Sequence, residues 1–254
     1  MSWTAILLAG SRPGGDPFAE QFGVDLKPLI PVGGEPMVRR PLRALLESKG
    51  IDRIVVLSQS VDRIAAVLPD DARIELRESQ GTIAETIEQL ILERTTQFPL
   101  LVTTSDHALL DAQMIAEFIA KAAGSDVAIG VVERRNLLAR LPQTKRTWLA
   151  FRGGAYSGAN LFALGSIKSL AVIEQWRAVE QDRKKGWRVL AALGPTLLLG
   201  AVLRLRTIEQ SVAAAARKLG VEARVVELSN PLAAVDVDKA VDHTIVEAIL
   251  AGRA

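Results

Sequence analysis

The stretch from residue 5 to residue 37, AILLAGSRPGGDPFAEQFGVDLKPLIPVGGEPM, constrains this chain more than any other. It begins with a short apolar strand at 5–8 and continues into a glycine-containing loop with one early cation, Arg12, and one late cation, Lys27. Glycines let backbone N–H groups come close to an anion, and Arg and Lys neutralise charge that backbone dipoles alone cannot. We therefore interpret this stretch as a phosphate-binding loop.

Two common phosphate-binding loops do not match this stretch. Gly15 follows Gly10 at the spacing of a P-loop, but Asp16 and Pro17 stand where Lys and then Ser or Thr would be required. No G-x-G-x-x-G follows the strand, which disfavours a dinucleotide-dependent dehydrogenase. Both of these classes are therefore disfavoured, and glycine in a loop is by itself weak evidence because most glycine-rich loops are turns.

The pattern resembles the signature of the MobA-like nucleotidyltransferases, which have a GT-A-type fold and are related to the sugar-phosphate pyrophosphorylases. Their L-A-x-G or A-G element, followed by a small residue and Arg, is similar to the segment at 8–12. Their K-P-L-x-P-V-x-G-x-P-M element is similar to the segment at 27–37, although the gap between Arg12 and Lys27 is longer than in compact members. The resemblance implies catalytic roles for Arg12 and Lys27. It implies nucleotide binding by residues of the loop, namely Leu8, Ala9, Gly10, Ser11, Gly14 and Gly15.

Composition limits the class of protein. The chain has 254 residues, of which 49% are hydrophobic and 24% charged, as expected of a soluble globular protein. It contains no cysteine and two histidines, which excludes disulfides and disfavours a structural zinc site. The net charge of +2 and the aromatic content of 4% argue against a nucleic-acid partner. With no recognisable signal peptide at 1–8, we expect a cytoplasmic protein.

Apolar periodicity alternates between the patterns of strands and helices along the chain. Strands are expected at 5–8, 53–58, 73–76, 99–103, 126–132 and 223–228, and helices at 36–48, 61–68, 82–95, 111–123 and 207–219. This order predicts right-handed βαβ units. We expect an α/β protein with a Rossmann-like, three-layer αβα architecture and a mainly parallel sheet, formed by a single domain over 1–254.

Ligands of such sheets bind beyond the carboxyl ends of the strands. Gln80, Gly81 and Thr82 follow one strand, and the resemblance places them beside the nucleobase; alternatively, Gly81 forms a turn and Thr82 caps the next helix. Asp106 follows the next strand, where the family has an aspartate that binds the divalent metal; its position alone is equally consistent with a helix cap or a surface charge. His107 is left out of the metal site, because a lone histidine is more often a packing or hydrogen-bonded residue than a ligand.

The middle of the chain, 133–205, is predicted to determine acceptor specificity. Lys145 and Arg146 would bind the phosphate of a second substrate, although ordinary surface charges on a strand pair explain them equally well. Gly158 and Asn160 are placed at the acceptor site by resemblance. The basic and then apolar run at 183–204 is too short to span a membrane, and three interpretations stay open: a buried helix pair, a homodimer interface, or a peripheral membrane contact.

Near the end of the chain, Val235–Asp242 resembles the closing D-x-D-T-P-E-D motif of the family, with Lys239 and Ala240 in place of Thr-Pro. Two carboxylates at alternate positions of an extended strand point to the same side, so either Asp238, which we prefer, or Asp236 would complete a Mg²⁺ site with Asp106. Asp242 is interpreted as a cap or first-turn charge of the final helix.

The resemblance implies a transferase that joins a nucleoside monophosphate unit from a nucleoside triphosphate, GTP or CTP, to a phosphorylated acceptor and releases pyrophosphate. Polyol phosphates, sugar phosphates and lipid head-group precursors are all candidate acceptors. Two alternatives remain at this point: a GT-A glycosyltransferase that uses a nucleotide sugar, and a non-catalytic nucleotide-binding protein.

Overall fold

The computed structural model describes residues 2–11, 15–79, 81–93, 96–181 and 204–253. Among them are ten strands: β1 Trp3–Leu8, β2 Pro31–Val32, β3 Glu35–Pro36, β4 Ile51–Ser58, β5 Ile74–Glu78, β6 Leu100–Thr104, β7 Val127–Glu133, β8 Leu149–Phe151, β9 Gly154–Leu164 and β10 Ala223–Glu227. The helices of this part of the chain are α1 Pro17–Glu20, α2 Arg39–Glu47, α3 Val61–Ala65, α4 Ile83–Leu92, α5 Ala112–Ala122, α6 Arg134–Arg140, α7 Leu170–Gln181, α8 Ile208–Lys218 and α9 Ala240–Leu250.

The main sheet has the strand order β10-β7-β9-β6-β1-β4-β5, with β8 paired to β9. The pairs β1–β4, β1–β6, β4–β5 and β7–β10 are parallel, whereas β9 runs antiparallel to β6, β7 and β8. The predicted mainly parallel α/β sheet is therefore confirmed. The antiparallel β9, in the middle of the sheet, belongs to the region 133–205, in which the apolar periodicity predicts no strand.

Helices cover both faces of the sheet, because its strands alternate between two apolar clusters. In β1, Ala5 and Leu7 belong to one cluster, together with residues of α2 and α5. Ile6 and Leu8 belong to the other cluster, which includes residues of α4 and α7. Burying a large aliphatic side chain contributes about 1.5–3 kcal/mol relative to leaving it exposed, so both faces stabilise the fold. The three-layer αβα prediction is confirmed.

Local signals explain several element boundaries. Thr82 is the N-cap of α4: its side chain accepts a hydrogen bond from Glu85 N at 3.2 Å, while Glu85 Oε2 accepts from Thr82 N at 2.9 Å. The expected capping role of Thr82 is thus confirmed, and it is compatible with a role beside a nucleobase. The helix expected at 61–68 ends earlier, at Ala65.

The sheet places the carboxyl ends of β1, β4 and β6 side by side. Leu8 at the end of β1 pairs with Leu57 of β4 and with Thr104 of β6. The loop of 9–15 and Asp106 therefore begin at the same edge, as a parallel sheet requires.

The basic and apolar run at 183–204 lies outside the described residues, apart from Arg204, so its three interpretations stay predictions. Within the part of the chain that the structure describes, no helix combines the length and apolar character needed to cross a membrane.

Candidate active site

The first part of the site is the loop that follows β1. Ala9 N donates to Leu57 O at 2.8 Å, and Ser11 N donates to the side chain of Gln59, Oε1, at 3.1 Å. A Cβ on Gly10 would lie 2.8 Å from Gln59 Oε1, so the backbone passes against this side chain. The loop therefore leaves the sheet in a fixed direction. Arg12, Gly14 and Gln80 lie outside the described residues, and their assigned roles stay predictions.

Lys27 begins a short 3-10 helix, Lys27–Leu29, that is tied to this loop. Its backbone N–H donates to Ser11 Oγ at 2.9 Å. The chain then enters the β2–β3 hairpin, whose two turn residues, Gly33 and Gly34, have φ of 62° and 81°. Positive φ at both central residues is the geometry of a type I′ turn, and glycine adopts it without strain. The glycines of this second motif thus shape a hairpin beside Lys27.

The Lys27 side chain joins two carboxylates that are distant in sequence. Its Nζ lies 2.6 Å from Asp106 Oδ2 and 2.6 Å from Asp238 Oδ1. Burial lowers the pKa of Lys27, but the charge and hydrogen bonds of Asp106 and Asp238 outweigh it and hold the pKa above its ordinary 10.5. We call these three residues the Lys27 centre. One cation facing two carboxylates leaves a net negative charge among them.

Asp106 is held firmly, whereas Asp238 is more open. The Thr104 hydroxyl donates to Asp106 Oδ1, and the Asp106 carbonyl accepts from Val237 N at 3.0 Å. The Asp106 side chain is 18% exposed and that of Asp238 is 58% exposed. The backbone bond to Val237 explains how the segment before α9 reaches the carboxyl end of β6.

A second charged group lies next to the Lys27 centre. Arg146 Nη1 pairs with Asp236 Oδ1, Arg146 Nη2 donates to the Asp236 carbonyl at 2.9 Å, and Asn160 Nδ2 donates to Asp236 Oδ2 at 3.2 Å. Arg146 is largely buried, and burial lowers its pKa. The negative charges of Asp242, Asp238 and Asp106 act in the opposite direction and raise it, but burial has the larger effect. We call Arg146, Asp236 and Asn160 the Arg146 cluster.

The two aspartates near the end of the chain face the same side, as predicted. Val235 and Val237 are buried, whereas Asp236 and Asp238 line one cavity of about 350 Å³. The segment is extended but is not a strand of the sheet. Asp238 contacts Lys27, while Asp236 contacts Arg146, so the structure brings Asp238 rather than Asp236 to Asp106.

The same cavity contains the four residues assigned to acceptor binding. Gly158 has open space where a Cβ would be, and Asn160 has φ of 48°, which is unusual for a residue other than glycine. Strained backbone of this kind is concentrated at functional sites. Lys145, Arg146, Gly158 and Asn160 are therefore close together around one cavity, beside Asp238.

Comparison with known proteins identifies the family of the chain. A family model described as the MobA-like NTP transferase domain matches residues 5–214. The chain belongs to this family. The MobA-like NTP transferases are nucleotidyltransferases, so the chain is a transferase enzyme. Among proteins with curated descriptions, no sequence matches this chain.

Solved structures similar to this MobA-like protein share its fold. One is a hypothetical transferase from Thermus thermophilus, with 30% identity and a TM-score of 0.81, covering 96% of this chain and 100% of that one. A second is a 4-diphosphocytidyl-2C-methyl-D-erythritol synthase from Anaerococcus prevotii, with 14% identity, a TM-score of 0.63, and coverage of 98% and 96%. A third, also from Thermus thermophilus, is a 2-C-methyl-D-erythritol 4-phosphate cytidylyltransferase, with 14% identity, a TM-score of 0.54, and coverage of 99% and 100%.

Sequence reasoning missed several residues around the site of this MobA-like domain. Gln59 directly follows β4, so a search of every strand end would have found it. Lys239 and Ser157 line the same cavity as Asp236, but no local pattern distinguishes them from ordinary surface residues. Gly81 and Thr82 form the turn and cap at the start of α4, and their contact with a nucleobase stays a prediction. His107 is buried, and burial lowers its pKa to about 4, despite the opposing charge of Asp106.

Proposed function

We propose that this protein transfers a nucleoside monophosphate unit from a nucleoside triphosphate to a phosphorylated acceptor, with release of pyrophosphate and with the aid of Mg²⁺. One observation supports this more than any other. Lys27 Nζ lies 2.6 Å from both Asp106 and Asp238, next to the loop that follows β1. A cation and two carboxylates at the carboxyl edge of the sheet provide what alignment and charge stabilisation of a phosphoryl group require.

The donor set fits a hard divalent cation. Asp106 and Asp238 each place a carboxylate oxygen 2.6 Å from Lys27 Nζ, so the two carboxylates face a common point. Among the described residues there is no cluster of three or more acidic, histidine or cysteine ligands. Two carboxylates suit Mg²⁺, which usually retains waters and takes its remaining ligands from substrate phosphates. When bound, the ion would neutralise charge on the phosphate oxygens.

The remaining roles, binding the triphosphate and stabilising the reacting phosphoryl group, are assigned to residues of the chain. Lys27 supplies a positive charge for the reacting phosphoryl group, and its backbone is fixed by Ser11. The backbone amides of the loop after β1 and Arg12 are proposed to bind the triphosphate, in line with the sequence pattern. In the reaction, an oxygen of the acceptor phosphate forms a bond to the α-phosphorus. The bond from that phosphorus to the bridging oxygen breaks, and pyrophosphate leaves with the electron pair.

The reaction needs no strong general base, because a phosphate monoester is largely ionised near neutral pH. The site is consistent with this requirement. His107, the histidine next to Asp106, is buried, and its lowered pKa of about 4 keeps it neutral at physiological pH. It is therefore a packing residue beside the site and not a proton acceptor for the substrate.

The cavity beside Asp238 is the proposed acceptor site. Lys145 and Lys239 are exposed at its wall and can bind a phosphate as mobile cations. Two nitrogens of Arg146 bind Asp236, whereas its Nε is buried and has no hydrogen-bond partner among the described residues. Asp236 and Asn160 present polar groups suited to hydroxyls of the acceptor. Phosphorylated polyols or sugars match this combination of cations and hydrogen-bonding groups, whereas a lipid head-group precursor would depend on 183–204 as well.

Thermal unfolding tests the donor and the metal together. The four nucleoside triphosphates would be compared with and without Mg²⁺, and we expect one of them, GTP or CTP, to stabilise the protein only with Mg²⁺. Asp106→Asn should abolish this shift. Asp111→Asn is a matched control, because Asp111 caps α5 through Met114 N at 2.7 Å and Asn is an equally good cap. Stabilisation by nucleotide sugars alone, or an Asp106→Asn protein that responds normally, would contradict the proposal.

Pyrophosphate release with a panel of phosphorylated acceptors then tests the reaction itself. The nucleotide that stabilises the protein should support release only when a phosphorylated acceptor is present. Sugar transfer without pyrophosphate release would instead indicate a glycosyltransferase.

A further inference from the structure

The carboxyl-terminal helix α9 contacts the hairpin that follows Lys27. Glu247 Oε1 accepts a hydrogen bond from Gly33 N at 2.6 Å, at the turn of the hairpin. One helical turn earlier, His243 Nε2 lies 2.7 Å from the carbonyl of Pro31, at the start of β2. Because a carbonyl only accepts, His243 must donate from Nε2. The two side chains therefore fix β2 at both of its ends.

The same helix packs closely against the turn. A Cβ on Gly33 would lie 3.0 Å from Leu250 Cδ1, so the glycine backbone touches the last turn of α9. The ring of His243 also lies 4.6 Å, centroid to centroid, from Phe22, which belongs to the segment between α1 and Lys27. Helix α9 thus contacts the chain on both sides of Lys27.

Helix α9 also holds the second half of the Lys27 centre. Asp238 lies two positions before the first residue of the helix, and its backbone N–H donates to Asp242 Oδ2 at 3.3 Å. Asp242 is buried in the first turn of α9. One helix therefore fixes the backbone of Asp238 directly and that of Lys27 through the hairpin.

The polar contacts are separate from those that dock the helix. Val246 is fully buried in the main apolar cluster, and Ile245, Ile249 and Leu250 pack against it. Glu247 remains 35% exposed, so its removal would leave the apolar docking surface intact. Glu247 therefore binds the turn of the hairpin without taking part in the apolar docking of α9.

We propose that Glu247 and His243 are positioning residues, which set the distance between Lys27 and Asp238 by fixing the β2–β3 hairpin to α9. This inference rests on the proposed function for its kinetic consequence. Helix α9 lies beyond the matched range 5–214, so the family model assigns nothing to either residue. An error of about 1 Å in the placement of a reacting group can reduce the rate by about 100-fold, so small shifts of the hairpin matter.

Kinetics of matched variants of the full chain test the proposal. Glu247→Ala should lower kcat by about 10-fold or more with little change in the KM for the triphosphate, because transition-state alignment is lost and not binding. Glu247→Gln, which keeps an acceptor for Gly33 N, should restore most of the rate. His243→Phe keeps a ring against Phe22 but loses the donor and should lower kcat, whereas His243→Gln keeps a donor. Thr244→Ala, at an exposed position of the same helix, is the control and should have normal kcat.

Coupling to Lys27 separates positioning from general damage. In a Lys27→Ala background, Glu247→Ala should cause no further loss, because the residue that it positions is absent. Additive losses, or an unchanged kcat for Glu247→Ala, would overturn the proposal.

Amide hydrogen exchange provides a readout that does not depend on activity. Glu247→Ala should accelerate exchange in the segment 30–37 and leave the central strands unchanged. If the wild-type protein released no pyrophosphate with any substrate pair, the proposed function would fail. Hydrogen exchange would still show whether Glu247 and His243 hold the hairpin in place. Unchanged exchange at 30–37 in both Glu247→Ala and His243→Phe would overturn the positioning role.

Discussion

The Lys27 centre and the Arg146 cluster are neighbouring groups of charged residues that differ in their ratio of positive to negative side chains. In the first, one lysine faces two carboxylates, and Asp238 is largely exposed. In the second, one arginine faces one carboxylate, and Asn160 completes the coordination of that carboxylate. The first group holds one cation and two carboxylates and the second holds one of each, and the charge of Arg146 also interacts with Asp106, Asp238 and Asp242. Asp238 is thus open to solvent at the Lys27 centre, whereas the Arg146 cluster supports the wall of the cavity that Lys145 and Gly158 also line.

The largest expected effect is that of Lys27→Ala on turnover. Removing one preorganised charge from an active site commonly lowers kcat by about 100-fold to 1,000-fold, and we expect a loss in this range. The free energy of unfolding should change less than in Arg146 variants. Pyrophosphate release and urea denaturation measure the two quantities, and full activity of Lys27→Ala would contradict the assignment.

The second effect is on stability and concerns Arg146→Met. Breaking a buried ion pair costs roughly 3–5 kcal/mol, and we expect about 2 kcal/mol here because Asp236 retains some contact with solvent. Arg152→Met is the matched control, since Arg152 contacts Gln210 at the surface at 3.2 Å. Its unfolding free energy should stay within about 0.5 kcal/mol of the wild type. Equal losses in both variants would show that the Arg146 cluster has no special structural role.

A third prediction concerns substrate binding at the rim of the cavity. Lys145→Ala should raise the KM for the acceptor by about 10-fold, the equivalent of one charge-assisted hydrogen bond, with a normal thermal shift by the triphosphate. Steady-state kinetics with the acceptor varied measure this change. A weaker response to the triphosphate would place Lys145 on the donor side of the site instead.

The smallest expected effect isolates the backbone of Asn160. Since its φ is 48°, Asn160→Ala should be less stable than Asn160→Gly by about 1 kcal/mol, although both variants lose the amide group that donates to Asp236. Urea denaturation of the two variants gives the difference. If the alanine variant were the more stable one, the positive φ would not be a constraint of the folded chain.

The sequence predicts the parts of the structure that depend on local patterns. Apolar periodicity predicts the parallel strands and most of the helices, and the motif at 27–37 predicts the hairpin glycines and Lys27. The strand-end rule predicts that Asp106 lies at the same edge as the loop after β1, and the family resemblance supplies its proposed role. These predictions need no information about distant contacts.

The remaining features depend on contacts between distant parts of the chain. Nothing local indicates that β9 lies between β6 and β7, or that Arg146 pairs with Asp236. The sequence already favours Asp238 over Asp236, but the pairing of Asp238 with Lys27 and of Asp236 with Arg146 joins distant segments. The contacts of His243 and Glu247 with the hairpin join residues more than 200 positions apart.

The central position of β9 has a consequence for the order of assembly during synthesis. Strands β6 and β7 do not pair with each other, and each pairs with β9, which the ribosome makes after both. A nascent chain that stops before 154–164 can therefore form the half-sheet of β1, β4, β5 and β6, but it has no strand with which to join β7. The loop after β1 and Asp106 can therefore reach their shared edge early, whereas Gly158, Asn160 and Asp238 join the site only once β9 and the segment after it have been made.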